Sequence, residues 1–225
     1  MRDYIKDTKY FEIFLDEYQN MIDKFETKLK NNEVKNDRIN AIKKMINKLK
    51  IDILIAHYSI GQPIDIIKED FLTILSGYSE FWNPEMYTRN LQIISLGILL
   101  NEKELMKEVF LPLLSSSGVK DWLYEFLFVG ENDNKFLFKK PYGIFEEIAI
   151  TNSENRINLL ADYVNNIWYK GHKDCGWYDS HKSSQNTYCG YWSFEAAAVA
   201  KILNIDDEKL KNTMYYPYDL AHFDG

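Results

Sequence analysis

The chain has 225 residues with 34 acids and 27 bases, a net charge of −7, and 46% hydrophobic residues, enough to bury a core in one large domain or two small ones. Scarce glycine (10) and proline (5) exclude a collagen-like or linker protein and argue against a β-sandwich. The acid excess excludes a general nucleic-acid binder, which needs a basic face for phosphates, and suits a basic partner.

Met1–Phe14 carries charges every few residues and has no apolar core of signal-peptide length, so no signal peptide is expected. Phe11, Leu15, Tyr18, Ile22, Phe25 and Leu29 recur at spacings of four and three, one face of a helix. After a polar turn at Asn31–Asn32, the stripe Ile39, Ile42, Ile46, Leu49, Ile53 predicts a second helix paired antiparallel with the first. Gly61-Gln62-Pro63 ends it. A third helix is predicted over Ile64–Tyr78, a fourth from Asn83-Pro84 to about Leu100, and a fifth over Leu105–Leu114 after a turn at Asn101–Glu104. Leu91–Leu100 is the greasiest stretch, too short and too interrupted to span a bilayer.

Ser115-Ser116-Ser117-Gly118 is small and polar, which divides the chain into an N-terminal helical half, 1–114, and a C-terminal half, 119–225, expected to pack together. Gly130–Pro141 reads as a loop or short hairpin. Thr151-Asn152-Ser153-Glu154 is a capping-box pattern, followed by a helix whose buried face is Ile157, Leu160, Ala161, Val164, Ile167 and Trp168. Gly171 stops it. The aromatic and polar stretch Lys170–Gly190 is a loop, and Trp192–Leu203 (WSFEAAAVAKIL) is apolar nearly all round, the mark of a buried helix. No period-2 run is long enough to build a sheet. The expected class is all-α: a bundle or array of antiparallel helix pairs with an irregular aromatic loop before the last long helix.

Charge is uneven along this chain. Met1–Lys50 holds 12 bases and 9 acids, a net of +3, while Ile51–Leu111 holds 4 and 9 and Pro112–Gly225 holds 11 and 16, a net of −5 each. Among the acids of the middle and C-terminal parts that lie off the helix faces, Asp121, Glu125, Glu131, Asp133, Asp174 and Asp179 are taken as the candidate partner-binding residues. Aromatic residues reach 15%, against an ordinary share of roughly 8–9%, and tyrosine suits both half-buried packing and interfaces.

His172, Cys175, His181, Cys189 and Glu195 are the densest group of reactive side chains. Zinc takes sulfur and imidazole ligands, but H-x2-C-x5-H-x7-C lacks the tight pairs of zinc fingers and ribbons. The alternative to a metal site is a solvated loop with Cys189 as a small buried hydrophobe. Glu195 and Lys201 are the only charges in Trp192–Leu203, so a carboxylate there needs hydrogen-bonding partners, and a structural hub is the expected role. No nucleotide-binding glycine loop, G-x-S-x-G elbow, H-E-x-x-H or EF-hand pattern occurs, and no cofactor is expected. Two cysteines are too few for a disulfide scaffold, which makes the cytoplasm the expected location.

Gly190–Leu203 (GYWSFEAAAVAKIL), followed by Ile205-Asp206-Asp207 and Tyr215-Tyr216-Pro217-Tyr218-Asp219-Leu220, resembles the C-terminal half of the PoNe-immunity (PoNi) family, and Trp177–Lys182 resembles the loop preceding it. The first half resembles the family in layout only. The resemblance implies a non-catalytic, all-helical immunity protein that binds and neutralises a cognate DNase toxin of the PoNe type, used in competition between bacteria. It implies that Gly190, Trp192, Glu195, Tyr216, Pro217 and Asp219 hold the fold, and it does not locate the toxin contacts. A basic DNase domain is thus the expected partner, with no direct nucleic-acid or membrane binding. The alternatives are a metal-dependent helical hydrolase using His172, His181, Cys189 and Glu195, or a helical adaptor for another partner.

Overall fold

Asp7 accepts the Tyr10 backbone N–H at 2.9 Å and so starts α1 (Thr8–Lys30). The computed structural model describes residues 1–224, and every regular element among them is helical, as the apolar periodicity requires. α1 buries Phe11, Phe14, Tyr18 and Ile22 against α2 (Asn36–Ile60). Gly61, at φ 102°, closes α2 in the left-handed conformation that a glycine adopts without strain. α3 (Ile64–Leu75) stops short of the expected Tyr78, and a 3₁₀ turn, Tyr78–Phe81, follows.

These elements form one compact unit, Met1–Phe81, joined by Asp179–Gly190. The returning segment is bound to both long helices: Tyr188 N–H donates to the Tyr10 hydroxyl, Ser59 Oγ to the Cys189 carbonyl at 2.8 Å, and the Tyr188 hydroxyl to Asp3. Asp3 itself accepts the backbone N–H groups of Ile5 and Lys6, so the N-terminus is tied down. The compact units therefore differ from the halves 1–114 and 119–225, because hydrogen bonds from 186–189 outweigh sequence proximity.

The second unit is Trp82–Tyr178 with Tyr191–Gly225. It contains α4 (Tyr87–Leu99), α5 (Lys103–Ser117), α6 (Trp122–Val129), α7 (Lys139–Tyr142), α8 (Ile144–Ile150) and α9 (Ser153–Asp162). A π-helical turn, Tyr163–Trp168, continues α9 into the single turn α10 (Tyr169–Gly171), and α11 (Phe194–Ile202) and α12 (Tyr218–Ala221) complete it. α5 runs through the serines and stops only at Gly118, φ 66°. The expected capping box does not form; Asn152 is the N-cap of α9 and makes no side-chain cap bond.

α4 and α11 are the centre. Every residue from Trp192 to Ala200 is buried, and Ala196–Ala200 lets α11 lie close against α4. Gly97 of α4 meets the Met106 side chain of α5, where a β-carbon would overlap the sulfur. Lys201 donates to the Leu99 carbonyl at 3.0 Å and the Phe223 carbonyl at 2.9 Å, capping α4 and docking the C-terminal tail. Arg156 does the same for α8, donating to the Ile148 and Ala149 carbonyls. No helix among the described residues is long and apolar enough to cross a membrane.

Burial pushes the Tyr87, Tyr142 and Tyr163 phenols well above their ordinary value, and the nearby carboxylates of Asp121 and Glu195 add to it. The folded chain thus keeps protons that an unfolded chain releases near pH 10. Stability is full below that pH and falls as pH rises through it, by about 1.4 kcal/mol per pH unit for each such tyrosine. Urea denaturation followed between pH 8 and pH 11 reads this directly: the midpoint holds constant up to about pH 9.5 and then drops steeply.

Candidate partner-binding surface

α6 and the loop behind it gather four of the six candidate acids. Asp121 is the N-cap of α6, where its Oδ1 accepts the Tyr124 backbone N–H and the Tyr87 hydroxyl, both at 3.0 Å. Its Oδ2 accepts the Leu137 N–H at 2.8 Å. Only 2% of Asp121 is exposed. Its expected place on the presenting surface is therefore corrected: with three donors and no solvent, this carboxylate is a structural cap that holds the loop to the helix.

The loop is built rather than loose. Trp122 N–H donates to the Lys135 carbonyl, Asn132 donates to the Trp122 and Gly130 carbonyls, and the Phe136 ring stacks on Trp122 at 4.9 Å. Asn134 donates to Glu125, which is half-buried on α6. Glu131 and Asp133 stand exposed on this frame. Beside them in sequence, Val129 is 61% exposed, Leu137 50% and Phe138 51%. Carboxylates and uncovered apolar side chains together form the composition of a protein-binding patch. Lys135, Lys139 and Lys140 are exposed on the same stretch, so its net charge is small and its apolar side chains are the distinctive feature. The run Phe136-Leu137-Phe138 inside a polar loop was the sequence signal for it.

Asp174 is exposed on the turn after α10. Asp179, in the other unit, sits in the left-handed region at φ 58° and pairs with Lys182 at 2.9 Å.

The reactive group does not assemble. Among the described residues, no three of His, Cys, Asp and Glu come close enough to hold a metal ion. His172 is buried with Nδ1 2.6 Å from the Trp168 carbonyl and Nε2 2.8 Å from the Tyr142 hydroxyl. Cys175 lies 3.9 Å from the Thr88 hydroxyl, and burial raises its thiol above the usual value, which disfavours the thiolate. Glu195 accepts the Tyr163 hydroxyl at 2.8 Å and the Ser193 hydroxyl at 2.9 Å. Among the described residues, His172, His181, Cys189 and Glu195 do not come together as a metal-holding group.

Of the residues expected to hold the fold, Trp192, Glu195, Tyr216 and Pro217 are buried, and Gly190 has φ 125°. Asp219 is exposed in the first turn of α12.

Two family models match the chain. PoNe immunity protein (PoNi), N-terminal, covers residues 2–111, and PoNe immunity proteins (PoNi), C-terminal, covers 119–220. No curated protein matches it. Among solved structures, the crystal structure of protein PA2201 from Pseudomonas aeruginosa has a similar fold, with a TM-score of 0.72 over 96% of this chain and 88% of that one at 15% identity.

The contrast between Asp121 and its exposed neighbours is measurable. Asp121→Ala removes a cap and leaves the Tyr87 hydroxyl and Leu137 N–H unpaired, at a cost of about 2–4 kcal/mol. Glu131→Ala and Asp133→Ala change stability by less than about 0.5 kcal/mol. Thermal melts of the three variants check the order.

Proposed function

This chain belongs to the PoNe immunity protein (PoNi) family, and on that premise we propose that it binds and neutralises a cognate DNase toxin of the PoNe type by covering the active site or the DNA-binding groove. The observation that carries the reading is the pair of family models, which together run from residue 2 to residue 220. The physics is consistent with it. A nuclease must present cations to DNA phosphates, and a chain of net charge −7 is attracted to such a groove from a distance. A DNase loose in the cytoplasm must be captured before it cuts, so rate of association matters as much as affinity. The protein acts by occupancy, with no chemistry of its own, in the compartment where the cell's DNA lies.

We assign first contact to the loop 130–138 with the end of α6. Val129, Leu137 and Phe138 anchor, Glu131 and Asp133 pair with the nuclease's cations, and Glu125 supports them through Asn134. Asp174 and Asp179 are further contacts at other places on the surface. Asp121 acts one step back, by holding the loop in shape.

Co-expression with a PoNe-type nuclease domain from the same genome tests the function: the DNA stays intact and the two chains co-purify. Degraded DNA with no complex refutes it for that pair. Glu131→Lys with Asp133→Lys lowers the association rate constant about tenfold at low ionic strength and much less at about 0.5 M salt, since exposed charges are screened there. Stopped-flow mixing across a salt series is the measurement.

A further inference from the structure

The far end of the α1–α2 hairpin carries a charge opposite to that of the rest of the chain. Residues 24–50 hold nine bases and three acids, a net of +6, so the remainder of the chain carries −13. The three acids are engaged locally. Glu26 pairs with Lys50 at 3.1 Å, Glu33 accepts the Asn31 amide at 3.0 Å, and Asp37 lies in the first turn of α2, at the positive end of its dipole. Of the bases, Lys48 pairs with Asp52. The seven from Lys24 to Lys44 are all exposed, and their side chains make no ion pair or hydrogen bond among the described residues.

Burial stops where this charge begins. Ile22 is the last buried residue of α1 and Ile46 the first of α2, and nothing from Asp23 to Met45 is buried. Phe25, Leu29, Ile39 and Ile42 continue the apolar stripes half-buried. Among the described residues, the hydrogen bonds and ion pairs of 24–50 stay within the two helices and their turn. Those from the returning segment fall at the other end, on Tyr10, Glu17 and Ser59.

We propose that this basic end binds the phosphate backbone of double-helical nucleic acid, whatever its sequence. The proposal departs from the expectation of no direct nucleic-acid contact, and the composition of the patch selects the occupant. Protein interfaces are enriched in aromatic residues and depleted in lysine. Here six of the seven exposed bases are lysine, and Phe25 is the single Phe, Tyr or Trp between Tyr18 and Tyr58. Single strands are held by ring faces on which bases stack, and membrane-surface helices lay Trp, Phe or Leu on an open face. The large apolar side chains exposed from 19 to 50 are Met21 and Met45 alone. Phosphates ask only for cations and donors. Lys24 with Lys28, and Lys44 with Lys48, stand one turn apart on a helix face, and exposed Asn32, Asn36 and Asn40 add amide donors. The net charge of −7 excludes phosphate binding by the surface at large, but acids more than about 8 Å away are screened at physiological salt. The proposal stands apart from the toxin-binding reading.

The test is fluorescence anisotropy of a short DNA duplex titrated with the full chain, with an RNA duplex in parallel to tell the two sources apart. Four neutralised phosphates give a slope of about −3.6 in log affinity against log salt, a loss of roughly a hundredfold between about 0.05 M and about 0.2 M. The combined variant Lys28→Gln, Lys35→Gln, Arg38→Gln, Lys44→Gln weakens binding about tenfold or more and flattens that slope. Its melting temperature stays within a few degrees of the parent, because these side chains have no partners to lose. Lys170→Gln with Lys173→Gln, exposed lysines of the other unit, leaves binding unchanged. No binding to either duplex at about 0.05 M salt, or binding by the combined variant within about twofold of the parent, overturns the proposal. Tighter binding to vesicles of anionic lipid, or to a single strand of the same length, overturns it as well. A chain that binds the duplex yet fails to protect DNA from the nuclease refutes the immunity reading and leaves this one standing.

Discussion

A buried carboxylate accepting a tyrosine hydroxyl is the interaction on which both units depend. Among the described residues the buried acids are Asp3, Asp52, Asp121, Glu195 and Asp207. Four of them accept such a hydroxyl: Asp3 from Tyr188, Asp121 from Tyr87, Glu195 from Tyr163 and Asp207 from Tyr216. Asp52 pairs with Lys48. An ionised carboxylate away from water is costly unless hydrogen bonds replace its hydration, and a buried phenol suits it because burial keeps the phenol protonated and donating. Three of the pairs also join places distant in sequence. Asp3–Tyr188 ties the terminus to the returning segment, Asp121–Tyr87 joins α6 to α4, and Glu195–Tyr163 joins α11 to the π-helical turn.

These pairs give the small side chains of α11 their meaning. A helix of alanines packs closely but specifies its rotation poorly, since one alanine face resembles another. Glu195 near its start and Lys201 near its end each have fixed partners, so the helix has one rotation and one register against α4. Polar groups that require particular partners act as register marks inside an otherwise forgiving apolar contact. The tail is placed by the same logic, since Lys201 and Asn101 both donate to the Phe223 carbonyl and His222 lies 3.2 Å from Asp207.

Elements with a strong apolar period were legible in the sequence. The stripes of α1 and α2, the proline and glycine breaks around residue 61, and the apolar α11 all stand where periodicity and turn chemistry put them. Shorter elements were not. α6 (WLYEFLFV) is apolar on every side and only eight residues long, so it has no period to read. The π-helical turn keeps helical composition and differs only in hydrogen-bond pattern. Asp121 reads as a surface acid because a cap and a surface acid look alike in sequence. What separates them is whether tertiary partners arrive, here Tyr87 from 34 residues before it and Leu137 from 16 after it. The candidate surface was therefore half legible: its acids could be named, but not which of them the fold had already enclosed.

The same pairing changes how the composition bears on binding. Acids and tyrosines are both in excess, and part of each excess is consumed inside the molecule as carboxylate–phenol pairs. On the proposed reading, what is left for a partner is the remainder: carboxylates such as Glu131 and Asp133 beside exposed apolar side chains, and half-exposed rings such as Tyr178 and Tyr215. Those two remainders act on a partner in different ways. Exposed carboxylates act at a distance and are screened by salt, so they govern how often partners meet. Packed rings act only on contact, so they govern how long a complex lasts. In the proposed immunity role both would count, and both lie apart from the core pairs that hold the two units folded.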